Sequence, residues 1–294
     1  MDEAVIILIR GIGSGAVYTL VAMSLNVIYN ATGVLNFAQG QLLVVAGVFT
    51  YLWYPDSSGT GSLPWIAVLL AVTLVVTLVA ALQGWLTLLP MRSGSDQHSW
   101  IVTTIAASIV IGAVMIFVIG PRTLALKNPF GFFPLAGTQV PYVYLAISVL
   151  AVVVHLALRW FQRRYLVGLA LNALSQDLDA ARTAGISTLP LQVLSFAIAG
   201  AILGLTGYLG GHVIGVAESN ALHYVIFGFI VAVVGGLGNN TGALVAGPVF
   251  GVLLMLVSFQ LGGSAEIPLA LAVIVIVLML RPEGIFGRLH ARRV

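Results

Sequence analysis

Few residues in this chain are equipped for chemistry, and their densest group is made of amides. Asn36, Gln39, Gly40 and Gln41 fall within six positions of the stretch ATGVLNFAQGQLLVVAG. Three amides and a glycine at that spacing are costly in hydrocarbon unless they face protein or a water-filled cavity. The pattern fits a broken or bent helix lining a path, because irregular backbone at membrane depth survives only there. It also fits a helix start whose polar first turn stands in water. The other reactive residues are scattered. Asp96 and His98 share a polar turn without a third partner. Glu218 and His223 lie five apart near an interface, which reads as loop chemistry. His155 reads as a hydrogen-bonded packing residue, and Thr103, Thr104 and Ser108 as hydroxyls bonded back to their own helix. Asn26 reads as bonded to a neighbouring backbone. No pairing of acids, metal-ligand cluster or nucleophile–base set emerges, which argues against an integral-membrane enzyme.

Two further chemistries are excluded outright. The stretch VVGGLGNNTGALVAGPVFG is rich in glycine, but a P-loop needs a lysine after its glycines to hold phosphate. Lys127 is the only lysine in the chain. The chain therefore has no Walker A motif. It has no cysteine either, so disulfides, thiolate metal sites and cysteine nucleophiles are absent.

One polar island interrupts the apolar sequence. Arg159 to Pro190 carries four of the twelve basic residues (Arg159, Arg163, Arg164, Arg182) and two of the nine acids (Asp177, Asp179). Its end reads as a short helix. Ser175 is the expected N-cap, and Asp177 and Asp179 then occupy the first turns, where the helix dipole favours negative charge. Asp179 and Arg182, three apart, are placed to pair. Gly185 suits the left-handed residue just past a helix end. Leu178, Ala181 and Gly185 share one small, mildly apolar side, a shape that can enter another protein's groove. An ordinary solvated loop helix is the competing reading.

The elements that must position these groups are membrane spans. The chain is 60% hydrophobic and 7% charged over 294 residues, with a mean hydropathy of +1.10; soluble domains average about 25% charged residues. A chain so poor in charge cannot cover a water-facing surface. The net charge of +3 is no sign of nucleic-acid binding, because the arginines flank apolar spans. Nine apolar runs are expected at roughly 12–29, 34–53, 65–89, 100–119, 143–161, 191–211, 221–237, 241–261 and 265–280. The two short ones, 221–237 and 265–280, are candidates for tilted, broken or re-entrant segments. The fold expected is an all-α polytopic integral membrane helical bundle of about eight to ten segments, one or more short or broken. It forms a single transmembrane domain over 1–294 with a cytoplasmic loop at about 162–190. The N-terminus begins acidic and lacks a cleavage pattern, so the first run is expected to stay as a span. With the N-terminus outside and nine crossings, nine arginines (92, 159, 163, 164, 182, 281, 288, 292 and 293) face the cytoplasm, against Arg10, Arg122 and Lys127 outside. That positive-inside bias puts the polar island and the C-terminus in the cytoplasm of a multi-pass inner-membrane protein. Gly11, Gly13 and Gly15 permit close contact of the first span. Gly200 and Gly204 form a GxxxG pair, continued by Gly207 and Gly211, that packs internally or against a second membrane subunit. Gly247 and Gly251 pack the next helix. Loop 54–64 and the longer 120–142 are external connectors.

Four short stretches, in order along the chain, carry a family resemblance. Asp179-Ala180-Ala181, with Gly185 three residues after Arg182, resembles the Glu-Ala-Ala-x-x-x-Gly coupling loop of ABC-importer permeases. Leu35-Asn36-Phe37-Ala38-Gln39-Gly40-Gln41-Leu42 resembles the INFAHGDL signature of LIV-type permeases of branched-chain amino-acid importers; Gln39 stands for His and Gln41 for Asp. Gly235-Gly236-Leu237-Gly238-Asn239, with Thr241-Gly242-Ala243 where Pro-Gly-Ala is usual, resembles a third segment of that family. The closing LMLRPEGIFG resembles LLFRPQGLFG. A fainter echo between the signature and the glycine-rich turn hints at an internal repeat.

The resemblance implies the permease subunit of an ABC importer, not itself an enzyme, moving a small polar solute inward by alternating access. Branched-chain or other amino acids and related small amides or carboxylates are the solutes it suggests. It implies two ATP-binding subunits that hold ATP and magnesium and engage Asp179, Ala180, Ala181, Arg182 and Gly185. It also implies a second related permease (or a homodimer), an external solute-binding protein docking on the 120–142 loop, and no cofactor in this chain. Asn36, Gln39, Gly40 and Gln41 are the expected path-lining residues. The alternative is a stand-alone secondary transporter or channel. That would need an intramembrane Asp, Glu or Lys for ion coupling, and every acid maps to a loop or span end.

Overall fold

A computed structural model describes residues 2–54, 64–91, 99–126, 128, 130–135 and 138–287. Loop 54–64 in its greater part, the Asp96/His98 turn, Arg92, Lys127, Arg288, Arg292 and Arg293 lie outside the described residues. Helix is forced on long apolar segments because every backbone N–H and C=O must be satisfied within the segment. The chain accordingly runs through α1 (Asp2–Thr32), α2 (Gln39–Trp53), α3 (Trp65–Met91), α4 (Ser99–Ile119), α5 (Val143–Arg164), α6 (Leu166–Gln176), α7 (Leu178–Thr183), α8 (Thr188–Ile214), α9 (Ala221–Gly235), α10 (Asn240–Leu261) and α11 (Glu266–Leu280). Among the described residues, eight helical segments are long and apolar enough to cross a membrane, which makes this a polytopic helical membrane protein. Between α4 and α5, part of the 120–142 connector folds into an antiparallel hairpin of β1 (Phe132–Leu135) and β2 (Thr138–Pro141).

α1 is the axis. It packs on α10, α8, α9 and α5, and Val17, Leu20, Val21, Ala22 and Met23 on it are fully enclosed. At 31 residues it is about 46 Å long, enough to reach from one end of the bundle to the other. Glycine sets how closely its neighbours approach. Gly11 and Gly15 of α1 face α10, where a β-carbon on Gly11 would stand 2.6 Å from Val252 Cα, and Gly247 and Gly251 of α10 abut the α1 backbone in return. Gly200 and Gly204 of α8 make the same contact with α3: a β-carbon at Gly204 would lie 2.7 Å from Thr73 Cα. The face carrying the GxxxG pair is thus internal. Close backbone contact replaces the hydrophobic driving force that lipid cannot supply.

The periphery is apolar. Leu70, Leu74, Leu78 and Leu82 make an exposed stripe along α3, Ile109 and Phe117 project from α4, and Met279 and Leu280 from α11. Water would not tolerate so large a contiguous apolar surface, and acyl chains do.

Three boundaries differ from the sequence expectation. The run 34–53 is helical only from Gln39; residues 33–38 are a bend, with Gly33 at φ +69°. The runs 221–237 and 265–280 are uninterrupted 15-residue helices, each entered through a 3-10 turn (Glu218–Asn220 and Gly263–Ala265). The polar island is less loop than expected: α5 runs on to Arg164, and the apolar α6 follows it directly.

Candidate functional site

The break between α1 and α2 gathers the amide cluster. Asn36 is fully buried and forms a reciprocal pair with Gln83 of α3, donating at 2.9 Å and accepting at 3.0 Å. Its Oδ1 also accepts from Ala38 N at 3.0 Å, which turns the chain into α2. Both ends of the Asn36 amide are thereby satisfied, as burial demands. Gln39, also fully buried, accepts from Ser24 Oγ of α1 at 3.1 Å, and its Nε2 makes no hydrogen bond. Gly40 lies against the Ala221 carbonyl at the start of α9. Gln41 donates to Glu218 Oε1 at 3.0 Å, and its own Oε1 is buried without a partner. All four residues therefore face protein. A cavity of about 420 Å³ lies between α3 and α4, walled by Gln83, Thr87 and Thr103 among apolar side chains. Asn36 is not in its wall, but its partner Gln83 is.

Glu218 was expected in a loop with His223. It sits instead where the 3-10 turn before α9 meets α2. His155 of α5 is buried as expected, but its Nδ1 has no hydrogen-bond partner. Thr103 and Thr104 do bond back to Trp100 O, at 3.1 and 2.9 Å.

At one end of the bundle, three separated stretches meet. The glycine-rich turn after α9 places Gly236 at φ +90° and Gly238 at φ +82°. Asn26 of α1 accepts from Gly238 N at 2.9 Å, and Asn30 donates to Gly238 O at 2.9 Å. Asn239 then caps α10, accepting from Thr241 N at 3.0 Å and Gly242 N at 3.1 Å. The segment after α11 closes over this turn: Ile285 N donates to Val234 O at 2.8 Å and Asn239 Nδ2 to Phe286 O at 2.9 Å. Asn26 thus bonds a neighbouring backbone as expected, although its partner lies 212 positions away in the chain.

α7 stands at the end of the polar island. Its N-cap is Asp177, whose Oδ1 accepts from Asp179 N at 3.0 Å and Ala180 N at 2.9 Å. The expected cap, Ser175, instead donates to Asn172 O at 2.7 Å within α6. The reason is that α6 continues to Gln176, so the next helix starts two residues later, and Asp caps as well as Ser. The other end is a Schellman closure: Gly185 at φ +83° donates to Arg182 O at 3.0 Å, and Ile186 to Ala181 O at 3.1 Å. Asp179 and Arg182 pair at 3.5 Å, both exposed. The side expected to dock elsewhere is partly occupied, because Ala181 is buried at 5% exposure within this chain. A six-residue helix cannot hold itself, so its small apolar side packs inward. The face left free is Asp179, Ala180, Arg182, Thr183 and Gly185.

Eight apolar spans among the described residues, a bend ahead of α2 and a surface helix capped at both ends are the architecture expected of a membrane permease. Residues 7–280 match the family described as branched-chain amino acid transport system / permease component, and the chain belongs to that family. Similar proteins include the high-affinity branched-chain amino acid transport system permease protein LivH of Salmonella typhimurium, 26% identical over 97% of this chain and 96% of that protein. BraD of Pseudomonas aeruginosa carries the same description and is 26% identical over 98% of this chain and 97% of its own length. A probable branched-chain amino acid transport permease protein LivH of Methanocaldococcus jannaschii is 23% identical over 91% and 88%.

Proposed function

We propose that the chain is the membrane subunit of an ABC importer that carries a small amino acid, or a related small polar solute, into the cell. The family match across residues 7–280 carries this reading. Its similarity to branched-chain amino-acid permeases supports the solute class. The glycine-rich stretch carries no lysine and so forms no Walker A motif; ATP and magnesium belong to two separate ATP-binding subunits. These dock on the free face of α7, where Asp179, Ala180, Arg182 and Gly185 are exposed and the backbone is fixed by Asp177 at one end and Gly185 at the other. Ala181 anchors that helix to the body, so a push on α7 reaches α6 and α8. Arginine distribution supports a cytoplasmic C-terminus and an external β1–β2 hairpin, where a solute-binding protein delivers its cargo. A second permease, related or identical, completes the conduit. Gln39 and Gln41 are the path residues of the amide cluster that retain an unpartnered polar atom; Asn36 positions the bend.

Ala180→Trp tests the docking. Ala180 is exposed and helical, so the large side chain is accommodated without disturbing the bundle and blocks only an incoming surface. The variant is expected to purify as a folded, monodisperse membrane protein that no longer retains the ATP-binding subunits in a tagged pull-down. Full retention would remove α7 as the coupling element.

A further inference from the structure

α6 is an apolar helix with one side outside the bundle. Its eleven residues reach about 16 Å, far short of the about 30 Å of a bilayer's hydrocarbon core. It packs on the end of α5: Gly168 lies against the Phe161 carbonyl, and Asn172 Nδ2 donates to Gln162 O at 3.0 Å. Gly168, Leu171 and Leu174 make its buried side. Leu166, Val167 and Leu169 are exposed, Leu166 at 85%. Apolar surface of this kind is costly in water and at ease against acyl chains.

The exposed side of α6 continues a face of α5 that looks onto lipid. Val149, Val153, Leu156 and Trp160 are all exposed, and their spacings of four and three put them on one stripe of the helix. The stripe ends at Trp160, whose ring meets that of Tyr165 edge-on at 5.1 Å just before α6 begins. Tryptophan and tyrosine at the end of a span mark the headgroup level. Arg163 and Arg164, three and four residues past Trp160 on the same side, are exposed, as is Arg159. Among the described residues none of these arginines has an acidic partner; the one ion pair is Asp179–Arg182. Free guanidinium groups beside an exposed apolar helix complement a layer of phosphates set over acyl chains. A second copy of this chain packed here about a two-fold axis would bring the same arginines against these, so charge favours lipid over a copy.

We propose that α6 lies in the headgroup layer of the membrane and that Arg159, Arg163 and Arg164 bind the phosphate groups of anionic phospholipids there. By the distribution of arginines this is the cytoplasmic leaflet, whose anionic lipids attract basic residues beside a span. Asp177 both follows α6 and caps α7, so the helix held by lipid also carries the exposed surface helix.

The test uses the full chain reconstituted in vesicles of mixed phosphatidylcholine and phosphatidylglycerol. Leu166→Cys, in a chain with no other cysteine, carries a bimane label. In one preparation phosphatidylglycerol is brominated on its acyl chains, in the other an equal mole fraction of phosphatidylcholine is. Brominated phosphatidylglycerol is expected to quench the label more strongly, with a relative affinity of about fivefold or more, the preference that one engaged arginine confers. Arg159→Gln with Arg163→Gln and Arg164→Gln removes the preference. The corresponding three lysine substitutions keep most of it, which a role confined to packing would not predict. The comparison in the chain with all three arginines decides the matter even where the glutamine variant does not fold. Equal quenching by the two lipids overturns the phosphate site, as does a preference unchanged in a folded glutamine variant. A label quenched by aqueous iodide and by neither lipid puts α6 in solvent, and one that none of the three quenches gives its apolar side to another protein; either overturns the proposal.

Discussion

At the scale of single residues, the bend before α2 is held by one amide pair. Asn36 and Gln83 exchange both hydrogen bonds at 2.9 and 3.0 Å in a buried setting. Asn36→Leu strips Gln83 of both these bonds, leaving it only a 3.4 Å bond to Thr87 Oγ1, and leaves the Ala38 N–H without its side-chain acceptor. The expected loss is about 1–3 kcal/mol, the cost of buried polar groups left unmade. A lowered thermal midpoint of the purified protein in detergent would show it. Asn36→Leu combined with Gln83→Leu should recover part of the loss, since removing both halves leaves fewer orphans. An unchanged midpoint for Asn36→Leu would mean that Asn36 is free to serve solute directly. The amides were legible in sequence as a polar interruption. Their partners were not, because Gln83 lies 47 positions away and nothing in the sequence fixes which faces of α3 and α2 meet. The same holds for Glu218, which looks like loop chemistry until the turn before α9 folds it back onto α2.

At the scale of elements, helix–helix contact through glycine is the organising device. Gly251 of α10 faces the α1 backbone at Gly11 and Gly15, so a larger side chain must push the two helices apart. Gly251→Leu is expected to cost about 1–3 kcal/mol or more through overpacking. The result should be a lost monodisperse peak in fluorescence-detected size-exclusion chromatography. Gly263→Ala is the matched control, since its nearest neighbours, Glu266 Oε1 and Ser258 Oγ, would stand an ordinary 3.9 Å away. Equal behaviour of the two variants would contradict the packing described. The apolar runs and small-residue seams were readable because length and spacing alone define them. The bend at 33–38 was foreshadowed by Gly33 and the amides, while the β1–β2 hairpin was hidden in a stretch full of Pro and Gly. The echo between the signature and the glycine-rich turn has a structural counterpart. Asn36 and Asn239 each accept from a backbone N–H two residues on, just where a helix begins.

At the scale of the whole molecule, the account is one of orientation and energy supply. The chain has no cysteine, so single cysteines give background-free reporters. In intact cells a membrane-impermeant maleimide is expected to label Arg122→Cys, near the hairpin, and to leave Thr183→Cys on α7 unlabelled until the membrane is opened. The reverse pattern would invert the topology drawn from the arginines. The order of the four short family-like stretches was readable along the sequence. That two of them, the glycine-rich turn and the closing RPEGIFG segment, touch in space through Ile285 and Asn239 was not. In the importer reading the permease is moved by a partner, which must bind one of its conformations better than the other. The most direct measurement is solute uptake into proteoliposomes holding the chain with and without its ATP-binding subunits. The account expects uptake only when both the subunits and ATP are present, and expects Ala180→Trp to abolish it. Uptake by the chain alone, down a gradient and indifferent to ATP, would contradict it.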